Sequence, residues 1–195
     1  MTGDELEFEE ATHTYRVRGV VLPSVTQIIK PVSPSFDMVD PATLEQKRQF
    51  GVAVHLACEL VERGELDDSA THPRIMGCVA AWLSFLSDAQ ATVLASETKH
   101  YSPIHRFAGR IDRVVDMRTG PLLIDLKTSD QAYPSYGVQT AGYAVMLEEE
   151  FGKLQRATLL LSDDGKYRLV PHNDPADFAA FMGCLAIYHW KRNNQ

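Results

Sequence analysis

Two short runs of acidic and basic residues carry the chemistry this sequence can do. Gly109-Arg110-Ile111-Asp112 is followed, after twelve residues, by Asp125-Leu126-Lys127-Thr128. Residues two apart on a strand share a face, so Asp125 and Lys127 should emerge together while Ile124 and Leu126 turn into the core. A hairpin between the two runs can bring Asp112 opposite them on the neighbouring strand. Two carboxylates that close repel and raise each other's pKa unless a cation sits between them, and hard carboxylate oxygens suit Mg²⁺ or Mn²⁺. Such an ion polarises a phosphoryl oxygen and acidifies a bound water, while Lys127 can orient that water or stabilise the developing charge. The expected chemistry is phosphodiester hydrolysis.

Other residues fall where they could join this group. Glu97 lies on the preceding predicted strand, within reach of the same metal. Gly51-Val52-Ala53-Val54-His55 puts an imidazole on a long helix. Gln139 and Tyr143 are four apart, so one helix face presents an amide and a phenol towards the strand ending at Lys127, to hold a phosphate or to brace the site. Arg110 belongs to the basic stretch Lys99, Arg106, Arg110 and Arg113, whose bland reading is a solvated strand face and whose functional one is phosphate attraction. Ser24 reads first as a helix cap, although a helix N-terminus can also hold a phosphate.

The elements that must position these groups are readable in outline. Phe8 to Leu22 reads as a hairpin turning at Arg18-Gly19, and Ser24 with Gln27 has the spacing of a capping box for a short helix that Pro31 ends. Residues 41–63 have a helical pattern in which Leu44, Val52, Leu56 and Leu60 can share a stripe, with Gly51 hinting at close backbone approach or a break. A second helix starts at Pro73, and Trp82, Phe85 and Trp190 are expected in the core. Strands are predicted over 92–100, 106–117 and 121–128, then a helix over 136–151, a hairpin over 156–171 and a closing helix over 174–191. That order describes an α/β fold, a central mixed sheet flanked by helices.

Taken in order, Gly51 to His55, Glu97, Gly109 to Asp112, Asp125 to Thr128, and Gln139 to Tyr143 resemble the RecB-like branch of the PD-(D/E)xK nuclease superfamily. His13-Thr14-Tyr15 and Leu22-Pro23-Ser24-Val25-Thr26 are similar to the opening of phage-type exonucleases of that branch. The resemblance implies a restriction-endonuclease-like core and a metal-dependent DNA exonuclease of phage or bacterial recombination and repair, with DNA and a strand-annealing recombination protein as partners. It implies Asp112, Asp125, Lys127 and Glu97 as catalytic residues. His55, Glu97, Asp112, Asp125 and the backbone carbonyl of Leu126 would hold one or two Mg²⁺ or Mn²⁺ ions, and Gln139, Tyr143, Arg110 and Ser24 would bind substrate. Some relatives hold an iron-sulfur cluster on cysteines; this chain lacks the four ligands, so no such cluster is expected. The alternative is a non-catalytic DNA-binding or helicase-partner module that keeps the nuclease fold.

Composition sets the limits. At 195 residues the chain suits one domain, residues 1–195, with 1–40 an appended hairpin and short helix. Cys58, Cys78 and Cys184 are odd in number and sit among apolar residues, so disulfides are not expected. The net charge of -7 argues against generic nucleic-acid binding, but five acids fall in residues 1–10, leaving 21 acids against 19 bases in the rest. No apolar run suits a bilayer and the N-terminus is acidic where a secretory leader is basic, so a cytoplasmic protein without membrane contact is expected.

Overall fold

Turn and cap residues divide the chain into its elements. The computed structural model describes residues 6–194, so Asp4 and Glu5 of the acidic N-terminus lie outside the described residues. Arg18 and Gly19 both adopt positive φ, 51° and 74°, the backbone of a tight two-residue hairpin turn. This turn joins β2 (Thr14–Val17) to β3 (Val20–Leu22), and β1 (Leu6–Glu9) pairs with β2, so the expected hairpin is a three-stranded meander. The capping box forms: Ser24 Oγ accepts from Gln27 N–H at 3.2 Å and Gln27 Oε1 accepts from Ser24 N–H at 2.9 Å, opening α1 (Val25–Ile28).

Asp40 caps α2 (Pro41–Arg63), which Gly64 ends in the left-handed conformation, and α3 (Pro73–Ala89) starts on its proline as expected. The central sheet follows, with β4 (Thr92–Ser102), β5 (Phe107–Met117), β6 (Gly120–Lys127), β7 (Gln155–Leu161) and β8 (Tyr167–Pro171) in spatial order. Neighbours are antiparallel except β6 and β7, which run parallel because α4 (Ser135–Phe151) carries the chain back between them. The last helix is α5 (Ala176–Asn193). The fold is the expected α/β arrangement, a mixed sheet flanked by helices.

Both faces of the sheet are covered. Leu122, Ile124, Leu126 and Leu159 pack with Val54, Cys58, Trp82 and Phe85 on the α2–α3 side. Phe107, Ile111, Val114 and Leu123 pack with α1, α4 and α5 on the other. Alternation along β6 therefore sends Asp125 and Lys127 to the α4 side, and Asp125 is only 1% exposed. No helix among the described residues is long and apolar enough to cross a membrane.

Three expectations about packing are corrected. Val52 and Leu56 are exposed, and α2 buries Val54, Ala57 and Cys58 instead. The Trp82 and Phe85 rings, 5.7 Å apart, already fill the space beneath α2, so its small side chains face inward. Trp190 is 66% exposed near the end of α5 rather than in the core. Gly51 neither breaks α2 nor sits in tight contact, since an added Cβ would meet only Thr128 Oγ1 at 3.7 Å. Gly51→Ala should therefore stabilise the protein by roughly 0.5–1 kcal/mol, through helix propensity alone. Thermal unfolding checks this, and a lowered Tm would mean that the glycine serves something other than α2.

Candidate active site

The site is built on an irregularity shared by two strands. Ser96 pairs with Arg113 and Thr98 with Ile111, which sets Glu97 opposite Asp112. Glu97 has φ of +50°, a left-handed conformation that costs a non-glycine residue roughly 1–2 kcal/mol and re-aims its side chain. On β5, Ile111 and Val114 share one face although they are three apart, so alternation slips once between them. Asp112 and Arg113 consequently both reach towards α2, and strain of this kind collects at functional sites.

What α2 presents there is His55. Its Nδ1 is 3.1 Å from Glu97 Oε1 and 3.7 Å from Asp112 Oδ1, and its Nε2 is 3.1 Å from the Leu126 carbonyl. One ligand atom from each of His55, Glu97 and Asp112 lies within 4.8 Å of the other two, a spacing that can hold a metal ion. Asp112 Oδ2 also accepts from Leu126 N–H at 2.8 Å, so both backbone polar groups of Leu126 are drawn into the cluster. Burial works against the charged imidazole of His55, but Asp112 and Glu97 outweigh it and raise its pKa.

Glu97 is more committed than expected of a free ligand. Its Oε1 accepts from Arg113 Nη1 at 2.9 Å, and Arg110 Nε lies 2.7 Å from its Oε2. Burial alone would raise the Glu97 pKa; His55, Arg113 and Arg110 overcome it and hold the carboxyl at about 2. The residue is thus a buried anion neutralised on both oxygens.

Asp125, beside this trio, is already engaged by neighbours of its own. Lys127 Nζ lies 2.8 Å from its Oδ1 and 2.7 Å from its Oδ2, and Gln139 Nε2 donates to Oδ1 at 3.0 Å and to the Tyr143 hydroxyl at 2.9 Å. Burial acts most strongly on both partners of the pair. It raises Asp125, with Lys127 opposing and Asp112 adding to the rise; it lowers Lys127, but Asp125 and Asp112 reverse that and the net shift is upward. Gln139 and Tyr143 are buried at 7% and 5%, where they brace Asp125. Arg110 is turned onto Glu97, and Ser24, 2% exposed, is spent on capping α1 beside Ala108. Gly109 lets β5 approach α4: an added Cβ would lie 2.9 Å from Met146 Cε and 3.0 Å from Tyr143 Cε1.

Two groups escaped the sequence reading. Arg113, placed there on a solvated or phosphate-facing strand, is fully buried. It donates to Glu62 Oε1 at 2.6 Å and to the Asp112 carbonyl at 2.6 Å, and sits 5.8 Å from the Trp82 ring centre. The available signal was an arginine between apolar strand neighbours, with Ile111, Val114 and Val115 around it. Tyr15, read only as part of the opening motif, is 1% exposed, and its hydroxyl has no hydrogen-bond partner among the described residues. No spacing pointed to it.

The residues present fit a hard divalent cation. Imidazole, carboxylate and carbonyl donors from His55, Asp112 and Leu126 converge, and Asp125 Oδ2 is buried with only the ionic contact to Lys127 and no aligned hydrogen bond.

No curated protein matches the sequence. Among solved structures, the crystal structure of SSO0001 aligns at 17% identity over 61% of this chain and 60% of that one, with a TM-score of 0.40. The chain therefore spans about 60% of that protein's length. A family model covers residues 70–180, and with them Glu97, Asp112, Asp125, Lys127, Gln139 and Tyr143. That match takes in more than half of the sequence and points to metal-dependent nuclease chemistry: the chain belongs to the PD-(D/E)XK nuclease superfamily.

Proposed function

We propose that the protein is a Mg²⁺- or Mn²⁺-dependent DNA exonuclease of the RecB-like, phage-type branch, one nuclease domain with residues 1–40 appended. The observation that supports this reading is the meeting of Asp112, Asp125, Lys127 and His55 around the end of β6. His55, Glu97, Asp112, Asp125 and the Leu126 carbonyl would hold the metal, which when bound would polarise the phosphoryl group and acidify water. Glu97 fixes the His55 ring through Nδ1, which leaves Nε2 facing the Leu126 carbonyl. Lys127 supplies the cation that orients the water and stabilises charge developing on the phosphate, and Gln139 and Tyr143 hold Asp125 against drift. DNA is the substrate, and recombination or repair beside a strand-annealing protein is the setting that the branch suggests.

A second reading, a DNA-binding or helicase-partner module, has one observation on its side. Glu97 and Asp125 are already neutralised by Arg110, Arg113 and Lys127. End-labelled linear DNA and closed circular DNA, incubated with Mg²⁺, Mn²⁺ or EDTA, separate the two. The exonuclease degrades only the linear molecule and only with metal. Cutting of the circle points to an endonuclease, and intact DNA throughout gives the second reading its case.

A further inference from the structure

Because β5 and β6 are antiparallel, the start of β5 lies at the same end of the sheet as Lys127. A groove of about 600 Å³ opens beside that point, between β3, the β4–β5 turn and the C-terminal part of α5. Val21, Ile104 and Leu185 contribute apolar surface to it. Its charged and ionisable lining residues are Arg106, Arg192, His105 and His189, without a carboxylate, in a chain whose net charge is -7. Arg106 is exposed at a left-handed φ of 56°, and Arg192 reaches across the groove to the Val21 carbonyl at 3.3 Å. Glu148 and Glu149 line a separate cavity with Ile104 and His105.

We propose that this groove is a second nucleic-acid site, which grips the phosphate backbone of the substrate beyond the point of cleavage. The identity of the polyanion rests on the nuclease reading; the charge complementarity does not. Asp112 lies five steps along the strand from Phe107, roughly 17 Å, which is about five nucleotide steps at 3.4 Å each. A local basic surface is what an acidic protein needs to hold DNA while its catalytic pocket is lined with carboxylates.

The test is binding of a fluorescently labelled duplex of roughly ten base pairs or more, long enough to reach from one site to the other, in EDTA to prevent cleavage. The Arg106→Asn/Arg192→Gln variant keeps its fold because both side chains are exposed and asparagine accepts left-handed backbone. The expected result is a Kd weakened about tenfold or more near 0.1 M salt, with the slope of log K against log salt shallower by about 2. Lys166→Ala, in the β7–β8 turn, is the charge-loss control and should bind as the parent does. An unchanged Kd and slope in the double variant overturns the proposal. So does light scattering that shows a parent dimer dissociated by the double substitution, which makes the groove a contact between copies of the chain. Cleavage by the parent protein is scored separately: a protein that binds through the groove yet cuts nothing keeps this inference and loses the nuclease reading.

Discussion

Lys127→Met and Asp125→Asn should each reduce cleavage on the order of 10³-fold, yet differ in how much they destabilise the fold. Removing the ammonium strands a carboxylate that is 1% exposed and keeps only the Gln139 amide at 3.0 Å. Breaking a buried pair from one side typically costs about 3–5 kcal/mol, so Lys127→Met should lower Tm by roughly 6–20 °C. Removing the carboxylate strands Lys127, whose side chain is 24% exposed and can turn to water; that loss should stay near 1 kcal/mol. The difference is also pH-dependent. Burial already raises the Asp125 pKa, with Lys127 opposing, so loss of Lys127 raises it further. An acid whose folded pKa lies above its unfolded value favours the fold below the unfolded value, about 3.9, and loses that contribution as pH climbs through the folded one. The Lys127→Met deficit should therefore be small near pH 4 and grow towards neutrality, each Tm being taken against the parent protein in EDTA. Equal Tm values for both variants at neutral pH would show that Asp125 does not depend on Lys127 for its charge.

Much of this site could be read before any coordinates, and the parts that could not have a common cause. Proline and glycine fix where α2 and α3 begin and where α2 ends by local sterics, and the two-residue period of a strand fixes that Asp125 and Lys127 share a face. These are short-range rules, and they suffice for the order of elements and for the Gly109 to Lys127 core of the site. Which face of α2 is buried is settled elsewhere, by the volume that Trp82 and Phe85 occupy, and two candidate stripes two residues apart look alike in sequence. The positive φ of Glu97 and the slip between Ile111 and Val114 arise where two strands adjust to each other, which no spacing encodes. Likewise, the hold of Lys127 and Gln139 on Asp125 is a balance of charges and not a pattern.

Arg113→Met should destabilise the fold as much as Lys127→Met does, although residue 113 carries no role in the proposed chemistry. The side chain is fully buried, and one guanidinium ties Glu62 at 2.6 Å, Glu97 at 2.9 Å and the Asp112 carbonyl at 2.6 Å. Methionine keeps much of the packing against Trp82 but leaves two carboxylates with side chains 11% and 6% exposed short of a counter-charge. The cost should be about 3–5 kcal/mol, read by urea unfolding, with cleavage falling alongside because Glu97 and the Asp112 backbone lose a shared anchor. Arg113→Lys should recover less than half, since a point charge cannot serve three acceptors in different directions. The decisive comparison adds Glu62→Gln to Arg113→Met. If unpaired charge is the origin of the loss, the double variant is more stable than Arg113→Met alone, because the carboxylate that relies most on Arg113 is gone. Glu97 still has His55 and Arg110, so cleavage should recover less than stability. Additive losses in the double variant would place the effect in packing around Trp82 and remove Arg113 from the electrostatic frame of the site.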